Sequence, residues 1–350
     1  MANGIRNIVV SVVVLLVLVA PACGRATTPT STEAPELATE EAIAVVPATA
    51  PERLFQWEYE DEQVYSVAFS PDGALVAGGS KVWQVRDGAL AQAIEYRHSV
   101  IDLAFSPDGQ LLGAGLRLYG VQFVQVADGE MLHRIDRGFD YDNHLAFSPD
   151  GETVATGNRN GIVWLWRVAD GELLAEFEPP DTAWSAGLAF SPDGEIVAAG
   201  HKDGTVYLWR ASDGQLLHTL PAQTDRCTVN DLAFSPDGAL LATVGGREEQ
   251  EHVVWLWRVA DGSSQQALPL PKTGGAVAFS PDGQWLAAGS GEKLMLWELS
   301  EAALWDALDY GAQIAESDQI TSLDFSPNGD LLVIGRHGGI LELWRFNRAM

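Results

Sequence analysis

The chain has 350 residues, of which 47% are hydrophobic, so it holds enough apolar side chains for a large folded core. Its formal net charge is −27 at pH 7. This charge argues against nucleic acid as a partner, because nucleic-acid binding depends on neutralising phosphates with Lys and Arg. The only two cysteines, Cys23 and Cys227, lie in very different contexts, and no disulfide framework is expected.

The first 22 residues have the pattern of an export signal. Arg6 supplies a positive charge, and an apolar run of 13 residues follows from Ile8 to Ala20. This run is shorter than the roughly 20 residues of a membrane-spanning helix. A small-x-small cleavage sequence ends at Ala22, so we predict a signal peptide over residues 1–22.

Cys23 follows the cleavage sequence directly and resembles the lipid-acceptor cysteine of bacterial lipoproteins. The resemblance implies an extracytoplasmic protein that is anchored to the cell membrane through lipid on Cys23. Ala20 and Pro21 depart from the usual lipoprotein sequence, which leaves simple cleavage and secretion open. Residues 23–52 are rich in Thr, Ala, Pro, Ser and Glu and contain no aromatic residue, so we expect a disordered tether.

The rest of the chain, residues 53–350, repeats one unit seven times. The string Ala-Phe-Ser-Pro-Asp-Gly, or a close relative, recurs at spacings of 36 to 46 residues, which is the period of a four-stranded propeller blade. Within the string, Pro and Asp favour a type I turn, and Gly takes the left-handed conformation that closes a hairpin with a bulge. The repeated phenylalanines are Phe69, Phe105, Phe147, Phe190, Phe234, Phe279 and Phe325.

An apolar strand that ends in Trp comes third in six of the seven units, and Val124 takes the Trp position in the second unit. This pattern resembles the WD40 repeat family over roughly residues 53–350. The resemblance implies an all-β fold, a seven-bladed β-propeller, although the family's Gly-His dipeptide ahead of the first strand is absent from every copy. We expect the third-strand tryptophans to pack between blades. They are Trp83, Trp166, Trp209, Trp257, Trp297 and Trp344.

The two ends of the repeat region predict how the ring closes. The seventh unit has no outer strand of its own after Phe346. One unassigned strand, Arg53–Glu58, precedes the first unit and can supply it. Such closure leaves no free sheet edge between the first and last blades, so we expect a monomeric propeller.

Eleven aspartates occupy turn positions, where the side chain suits the backbone geometry, and we interpret them as turn formers and not as metal ligands. Those of the first turn are Asp72, Asp108, Asp150, Asp193, Asp237 and Asp282, and those of the second turn are Asp87, Asp128, Asp170, Asp213 and Asp261.

The hairpin between the second and third strands carries one basic residue in every unit, whereas about two among roughly 28 loop positions would be basic by chance. These hairpins should converge on one face around the channel. There the residues would form a basic ring that binds an anion or an acidic peptide. The alternative is that they pair with carboxylates of neighbouring connections, which contributes little stability. The seven residues are Lys81, Arg117, Arg159, Lys202, Arg247, Lys293 and Arg336.

Tyr141 and Trp184 lie in the connections between units, where an aromatic side chain either anchors an interface or packs on the adjacent blade. No Gly-x-Ser-x-Gly, His-Glu-x-x-His or Cys-x-x-Cys motif is present. We therefore predict a non-catalytic scaffold, without metal or cofactor, that presents a propeller face to a protein or peptide partner. Two alternatives stay open: a receptor that binds a small anion or glycan at the basic ring, and a hydrolase or lyase at the channel mouth.

Overall fold

A computed structural model of the chain describes seven four-stranded antiparallel sheets and, among the residues it describes, no helix. Consequently, that part of the chain contains no helix long and apolar enough to cross a membrane. The described residues are 51–135, 144–158, 160–181, 184–221, 228–246, 252–299, the backbone of 303–308, and 318–346.

Each sheet is one blade of a propeller, and the first strands of neighbouring blades contact each other around a central channel. The outer strands are β1 Glu52–Glu58, β5 Leu90–Ala93, β9 Met131–Ile135, β13 Leu173–Phe177, β17 Leu216–Leu220, β21 Ser264–Leu270 and β25 Ala303–Leu308. The first strands are β2 Val67–Phe69, β6 Val100–Phe105, β10 His144–Phe147, β14 Ser185–Phe190, β18 Val229–Phe234, β22 Gly274–Phe279 and β26 Ile320–Phe325.

The second and third strands fill the middle of each blade, and the register is antiparallel throughout. The second strands are β3 Leu75–Gly78, β7 Leu111–Leu116, β11 Thr153–Gly157, β15 Ile196–His201, β19 Leu240–Gly245, β23 Trp285–Ser290 and β27 Leu331–Arg336. The third strands are β4 Lys81–Gln84, β8 Gly120–Gln125, β12 Val163–Arg167, β16 Val206–Arg210, β20 His252–Arg258, β24 Lys293–Glu298 and β28 Ile340–Arg345.

The predicted ring closure is confirmed. Strand β1 pairs antiparallel with β28 and becomes the outer strand of the seventh blade, with Gln56 opposite Glu342 and Trp57 opposite Leu341. The strand begins at Glu52, one residue before the predicted start. Blade 7 is thus built from both ends of the described chain, and the pairing of β1 with β28 closes the ring.

The Ser-Pro-Asp-Gly turns are closed by the bonds that their side chains can make locally. In the fifth blade, Ser235 Oγ donates to Asp237 Oδ1 at 2.6 Å and accepts from the Leu240 N–H at 2.9 Å. Asp237 Oδ1 also accepts from the Ala239 N–H, and Gly238 has φ +70°. The Ser235 hydroxyl, followed by this N–H, lowers the pKa of Asp237. Here and in the equivalent turns, the aspartates act as turn formers, as predicted.

These turns also touch the preceding blade, which the sequence pattern does not reveal. A Cβ built on Gly238 would lie 3.6 Å from Cδ of Pro192, in the turn of blade 4. The same glycine-to-proline contact recurs between Gly109 and Pro71 at 3.6 Å. Successive turns therefore pack as a chain around the ring.

The hydrophobic core is divided into seven clusters, each of which lies between two neighbouring blades. Trp209, for example, is 2% exposed and packs with Phe177 of the preceding blade at a centroid distance of 6.2 Å. Burial of a Trp side chain of about 150–250 Å² contributes about 4–6 kcal/mol at most. The prediction that the third-strand tryptophans pack between blades is confirmed.

Candidate functional site

The hairpins between second and third strands, and the connections from each outer strand to the next first strand, lie together on one face of the ring. We call this the hairpin face. Backbone hydrogen bonds fasten the two kinds of loop to each other: the Lys202 N–H donates to the Trp184 carbonyl at 2.8 Å, and the Arg117 N–H donates to the Ser99 carbonyl at 3.0 Å. The opposite face, which we call the turn face, carries the Ser-Pro-Asp-Gly and Asp-Gly turns.

Five of the seven hairpin cations lie within the described residues, and they occupy different environments. Arg117 and Lys202 are exposed, Lys81 and Lys293 are half-buried, and Arg336 is fully buried. Four further predicted site residues lie outside the described residues; they are Arg159, Arg247, Tyr141 and Cys23.

Aromatic rings are prominent neighbours of the hairpin cations. Lys81 Nζ lies 4.4 Å from the centroid of the Tyr59 ring. Lys202 Nζ lies 5.2 Å from the Trp184 ring. A cation held over an aromatic face gains about 0.5–1 kcal/mol at an exposed site. Sequence reasoning considered anions and carboxylates as neighbours of these cations and did not consider the rings.

Among the described residues, Trp184 is a well-exposed aromatic residue of this face, with 42% of its surface accessible. It stands at the entry to β14, and its carbonyl is held by the backbone of Lys202. The third-strand tryptophan of the same blade, Trp209, is 2% exposed. Trp184 therefore lies outside the inter-blade core, in the type of position that anchors interfaces.

Arg336 requires a correction of the predicted basic ring. Its side chain is completely buried, and its Nε donates to Glu342 Oε2 at 3.0 Å. Glu342 is itself 2% exposed and also accepts from Arg53 Nη1 of the closing strand at 2.8 Å. Arg336 is the last residue of β27, and its side chain points into the blade, where it pairs with this carboxylate. It therefore does not belong to a solvent-facing ring.

Blade 6 carries an ion pair between a connection and a hairpin, but its cation, Lys272, is not one of the seven predicted basic residues. Lys272 Nζ donates to Glu292 Oε2 at 2.8 Å. Lys272, through this hydrogen bond, lowers the pKa of Glu292, and the charge of the neighbouring Lys293 contributes to the shift. The pair is largely exposed, so its contribution to stability is small.

The central channel, a cavity of about 480 Å³, has an acidic lining. Asp102, Asp231 and Asp324 project from three of the first strands, and the described residues that line the channel include no Lys or Arg. Each carboxylate accepts a backbone N–H from the next blade: Asp102 from Leu145, Asp231 from Val277 and Asp324 from Phe69. These aspartates tie adjacent blades together.

Two of the channel aspartates hold their protons unusually tightly. Desolvation by burial raises the pKa of Asp231 to about 7, against the lowering effect of its two backbone hydrogen bonds. Desolvation likewise raises the pKa of Asp324 to about 7. The nearby Asp102 adds to the shift of Asp231, and His144 opposes it. Because these groups develop negative charge as the pH rises, the channel lacks the positive potential that an anion site needs.

A serine, a carboxylate and an imidazole meet in the channel, but not in the order that acyl transfer uses. Ser66 Oγ donates to Asp102 Oδ1 at 2.9 Å, and His144 Nδ1 lies 3.6 Å from Asp102 Oδ2. In a nucleophilic triad the imidazole stands between hydroxyl and carboxylate. Here the carboxylate stands in the middle. Among the described residues, no group of three His, Cys, Asp or Glu side chains is arranged to hold a metal ion.

Sequence reasoning missed two groups of residues. The channel aspartates were not recognised, although Asp102 and Asp231 share one signal, since each lies three residues before a repeated phenylalanine. The second group surrounds Tyr119 on blade 2, where Arg134 Cζ lies 4.1 Å and His98 4.5 Å from the tyrosine ring centroid. No repeat position marks these side chains, because they come from a hairpin, an outer strand and a connection.

Comparison with protein-family models finds repeats of one kind along this ring. The model of the WD domain, G-beta repeat, matches residues 53–88, 143–167, 275–298 and 312–345. The model of the anaphase-promoting complex subunit 4 WD40 domain matches residues 188–254. Together the matched segments include strands from most of the blades.

Curated relatives include plant proteins named small ribosomal subunit protein RACK1. The chain is 29% identical over 134 residues to RACK1z of Arabidopsis thaliana and to RACK1 of Brassica napus. It is 29% identical over 133 residues to RACK1 of Glycine max. Each alignment covers 34% of this chain and 40% of the relative, so the similarity spans less than half of either protein.

Proposed function

We propose that this chain, a seven-bladed β-propeller built from WD40 repeats, is a non-catalytic scaffold that holds a protein partner on its hairpin face. The observation that carries the proposal is Trp184, which is 42% exposed on that face beside Lys202. A few residues, with Trp, Tyr and Arg enriched among them, supply most of the energy of protein interfaces. The WD40 repeats and the partial similarity to RACK1 fit a role in protein binding.

The channel does not favour the two alternative functions. A receptor that binds a small anion inside the channel would need basic groups in the lining, whereas the described lining carries Asp102, Asp231 and Asp324. A hydrolase would need an imidazole within reach of a nucleophile, whereas Ser66 donates to a carboxylate. Binding at the rim of the hairpin face explains the exposed groups better.

A matched pair of variants tests the scaffold function. Trp184→Ala removes an exposed aromatic of the hairpin face, and Leu174→Ala removes a similarly exposed apolar side chain, 44% accessible, on outer strand β13. We expect Trp184→Ala to weaken capture of the native partner by the full-length protein at least about tenfold, or about 1.4 kcal/mol, and Leu174→Ala to leave it unchanged. Equal capture by wild type and both variants would overturn the proposal.

The scaffold is proposed to act outside the cytoplasm. Support comes from the amino-acid sequence: the signal-like residues 1–22, Cys23 directly after them, and a tether-like composition over residues 23–52. In this proposal Cys23 becomes the first residue and carries the lipid. Mass spectrometry of the mature N-terminus tests it. An acylated Cys23 is expected, an unmodified Cys23 after cleavage would indicate simple secretion, and an intact Met1 would refute export.

A further inference from the structure

Blade 2 carries a cluster of basic and aromatic side chains on the hairpin face. The ring of Tyr119 is flanked by Arg134 Cζ at 4.1 Å and stacks on His98 at a centroid distance of 4.5 Å. Arg134 lowers the pKa of the Tyr119 hydroxyl, and the charge of Arg97 adds to this effect. Arg97, His98 and Arg134 are all exposed, so this end of the cluster faces solvent.

The cluster continues inward to the mouth of the channel. Arg117, two residues before Tyr119, lies with its Cζ 5.6 Å from the centroid of the Tyr65 ring. Tyr65 in turn meets the His337 ring edge-on at 5.8 Å and is one of the residues that line the channel. We call the set Tyr65, Arg97, His98, Arg117, Tyr119 and Arg134 the blade 2 track.

The track contrasts with the charge of the whole protein. The chain has 48 acidic residues against 21 Lys and Arg, yet three arginines and a histidine gather along this one radial line. At physiological ionic strength the Debye length is about 8 Å, so carboxylates on remote blades are largely screened from a ligand bound here. The negative charge of remote blades therefore does not prevent an anionic ligand from binding here.

We propose that the blade 2 track binds an extended acidic peptide segment of the partner, so this inference rests on the function proposed above. Guanidinium groups form bidentate hydrogen bonds with carboxylates, which Lys cannot reproduce, and the three arginines supply that geometry along one line. The rings of Tyr119 and Tyr65 hold the guanidinium groups of Arg134 and Arg117 in place through cation–π contacts. The overall charge of −27 disfavours a polyanion as long as a nucleic acid.

Fluorescence anisotropy with the full-length protein and a labelled Glu/Gly peptide of about ten residues, about 33 Å when extended, tests the proposal. The double variant Arg97→Glu/Arg134→Glu reverses the charge of two residues of the blade 2 track. Its control, Arg210→Glu/Arg258→Glu, makes the same change in net charge with exposed arginines next to the turns of the opposite face. We expect the track variant to weaken binding at least tenfold and the control less than threefold, with circular dichroism verifying the fold of both.

Additional measurements distinguish binding at the blade 2 track from nonspecific electrostatic attraction to the protein. Raising the salt concentration to 1 M shortens the Debye length to about 3 Å and is expected to weaken binding of the acidic peptide. Equal losses in the two double variants, or equal binding of a Lys/Gly peptide, would overturn the inference. So would tighter binding of an oligonucleotide of the same charge. Arg97→Ala alone, at an exposed position, repeats the test with little risk to folding.

Capture of the native partner separates this inference from the proposed function. If Trp184→Ala abolishes capture while the Arg97→Glu/Arg134→Glu variant retains it, the acidic-peptide inference is false and the scaffold function stands. If both variants lose capture and only the track variant loses the Glu/Gly peptide, both proposals hold. If neither variant affects capture, the hairpin face is not the interface and both proposals fail.

Discussion

The turn face and the hairpin face are made from the same seven repeats, yet they differ in how uniform they are. On the turn face, the bond from a serine hydroxyl to an aspartate recurs nearly unchanged, as with Ser70 to Asp72 and Ser235 to Asp237, both at 2.6 Å. On the hairpin face, one cation lies over Trp184 and another, Arg336, is buried against Glu342. The repeated Ser–Asp hydrogen bonds form the same turn in successive blades. The contacts on the hairpin face differ from blade to blade, so each blade presents a different surface there.

The strongest test of this contrast concerns Arg336, the hairpin cation that lies inside. Glu342→Ala leaves the buried guanidinium without its carboxylate and is expected to destabilise the protein by about 3–5 kcal/mol in urea unfolding. Glu172→Ala, which breaks an exposed pair with Arg167, is the control and should cost less than about 1 kcal/mol. Similar small losses of stability in both variants would show that the ion pairs of Glu342 with Arg336 and Arg53, which join β1, β27 and β28, do not stabilise the ring.

Protonation should distinguish the channel from the turn face, because the pKa shifts have opposite signs. Burial raises the pKa of Asp231 from 3.8 to about 7, so its stabilising contribution is complete below pH 3.8 and is lost as the pH rises towards 7. Wild type should lose up to about 1.4 kcal/mol per pH unit more than Asp231→Asn in this window. Denaturant unfolding at a series of pH values measures the difference.

Asp237 of the turn face serves as the counterpart in that experiment. Its pKa is lowered, so its contribution is present above pH 3.8 and disappears as the pH falls through the lowered value. Asp237→Asn should therefore differ from wild type in slope only at acidic pH. An Asp231→Asn variant whose slope matches that of wild type between pH 4 and 7 would contradict the assignment.

A smaller effect is expected where a turn-face glycine is replaced. Gly238 has φ +70°, and the methyl group of Gly238→Ala would lie at an ordinary contact distance of 3.6 Å from Pro192. Backbone strain alone then predicts a loss of about 1–2 kcal/mol in thermal or urea unfolding. A loss below about 0.5 kcal/mol would mean that the left-handed turn conformation is not required there.

The smallest effect is expected at Leu118, which has φ +64° in the hairpin of blade 2. Leu118→Gly relieves about 1–2 kcal/mol of left-handed strain, while the greater freedom of the unfolded chain costs about 0.5–1 kcal/mol. We expect a net change within about 1 kcal/mol of zero. Leu90→Gly, at an exposed position in strand β5, relieves no left-handed strain and should be more destabilising than Leu118→Gly. A larger loss of stability in Leu118→Gly would contradict this account.

Much of the architecture was predictable because its signals are local or periodic. The blade count, the turn aspartates, the third-strand tryptophans and the closing strand at Arg53–Glu58 all follow from a short motif and its spacing, and the structure confirms them. The candidate site was harder to predict. Of the five basic positions within the described residues, Arg117 and Lys202 lie in hairpins, whereas the other three are terminal residues of β4, β24 and β27. The pattern could not show that Arg336 points inward while Lys202 lies over an aromatic ring.

The sequence by itself determined the turns and the ring, because Ser-Pro-Asp-Gly closes a hairpin with atoms no more than five residues apart and the repeat period specifies the blade. Tertiary structure alone decided the neighbours of each charge. Arg117 meets Tyr65 and Arg134 meets Tyr119 only after strands from different parts of the chain are packed together. In the same way, Asp231 acquires its raised pKa only when the seven first strands enclose it in the channel.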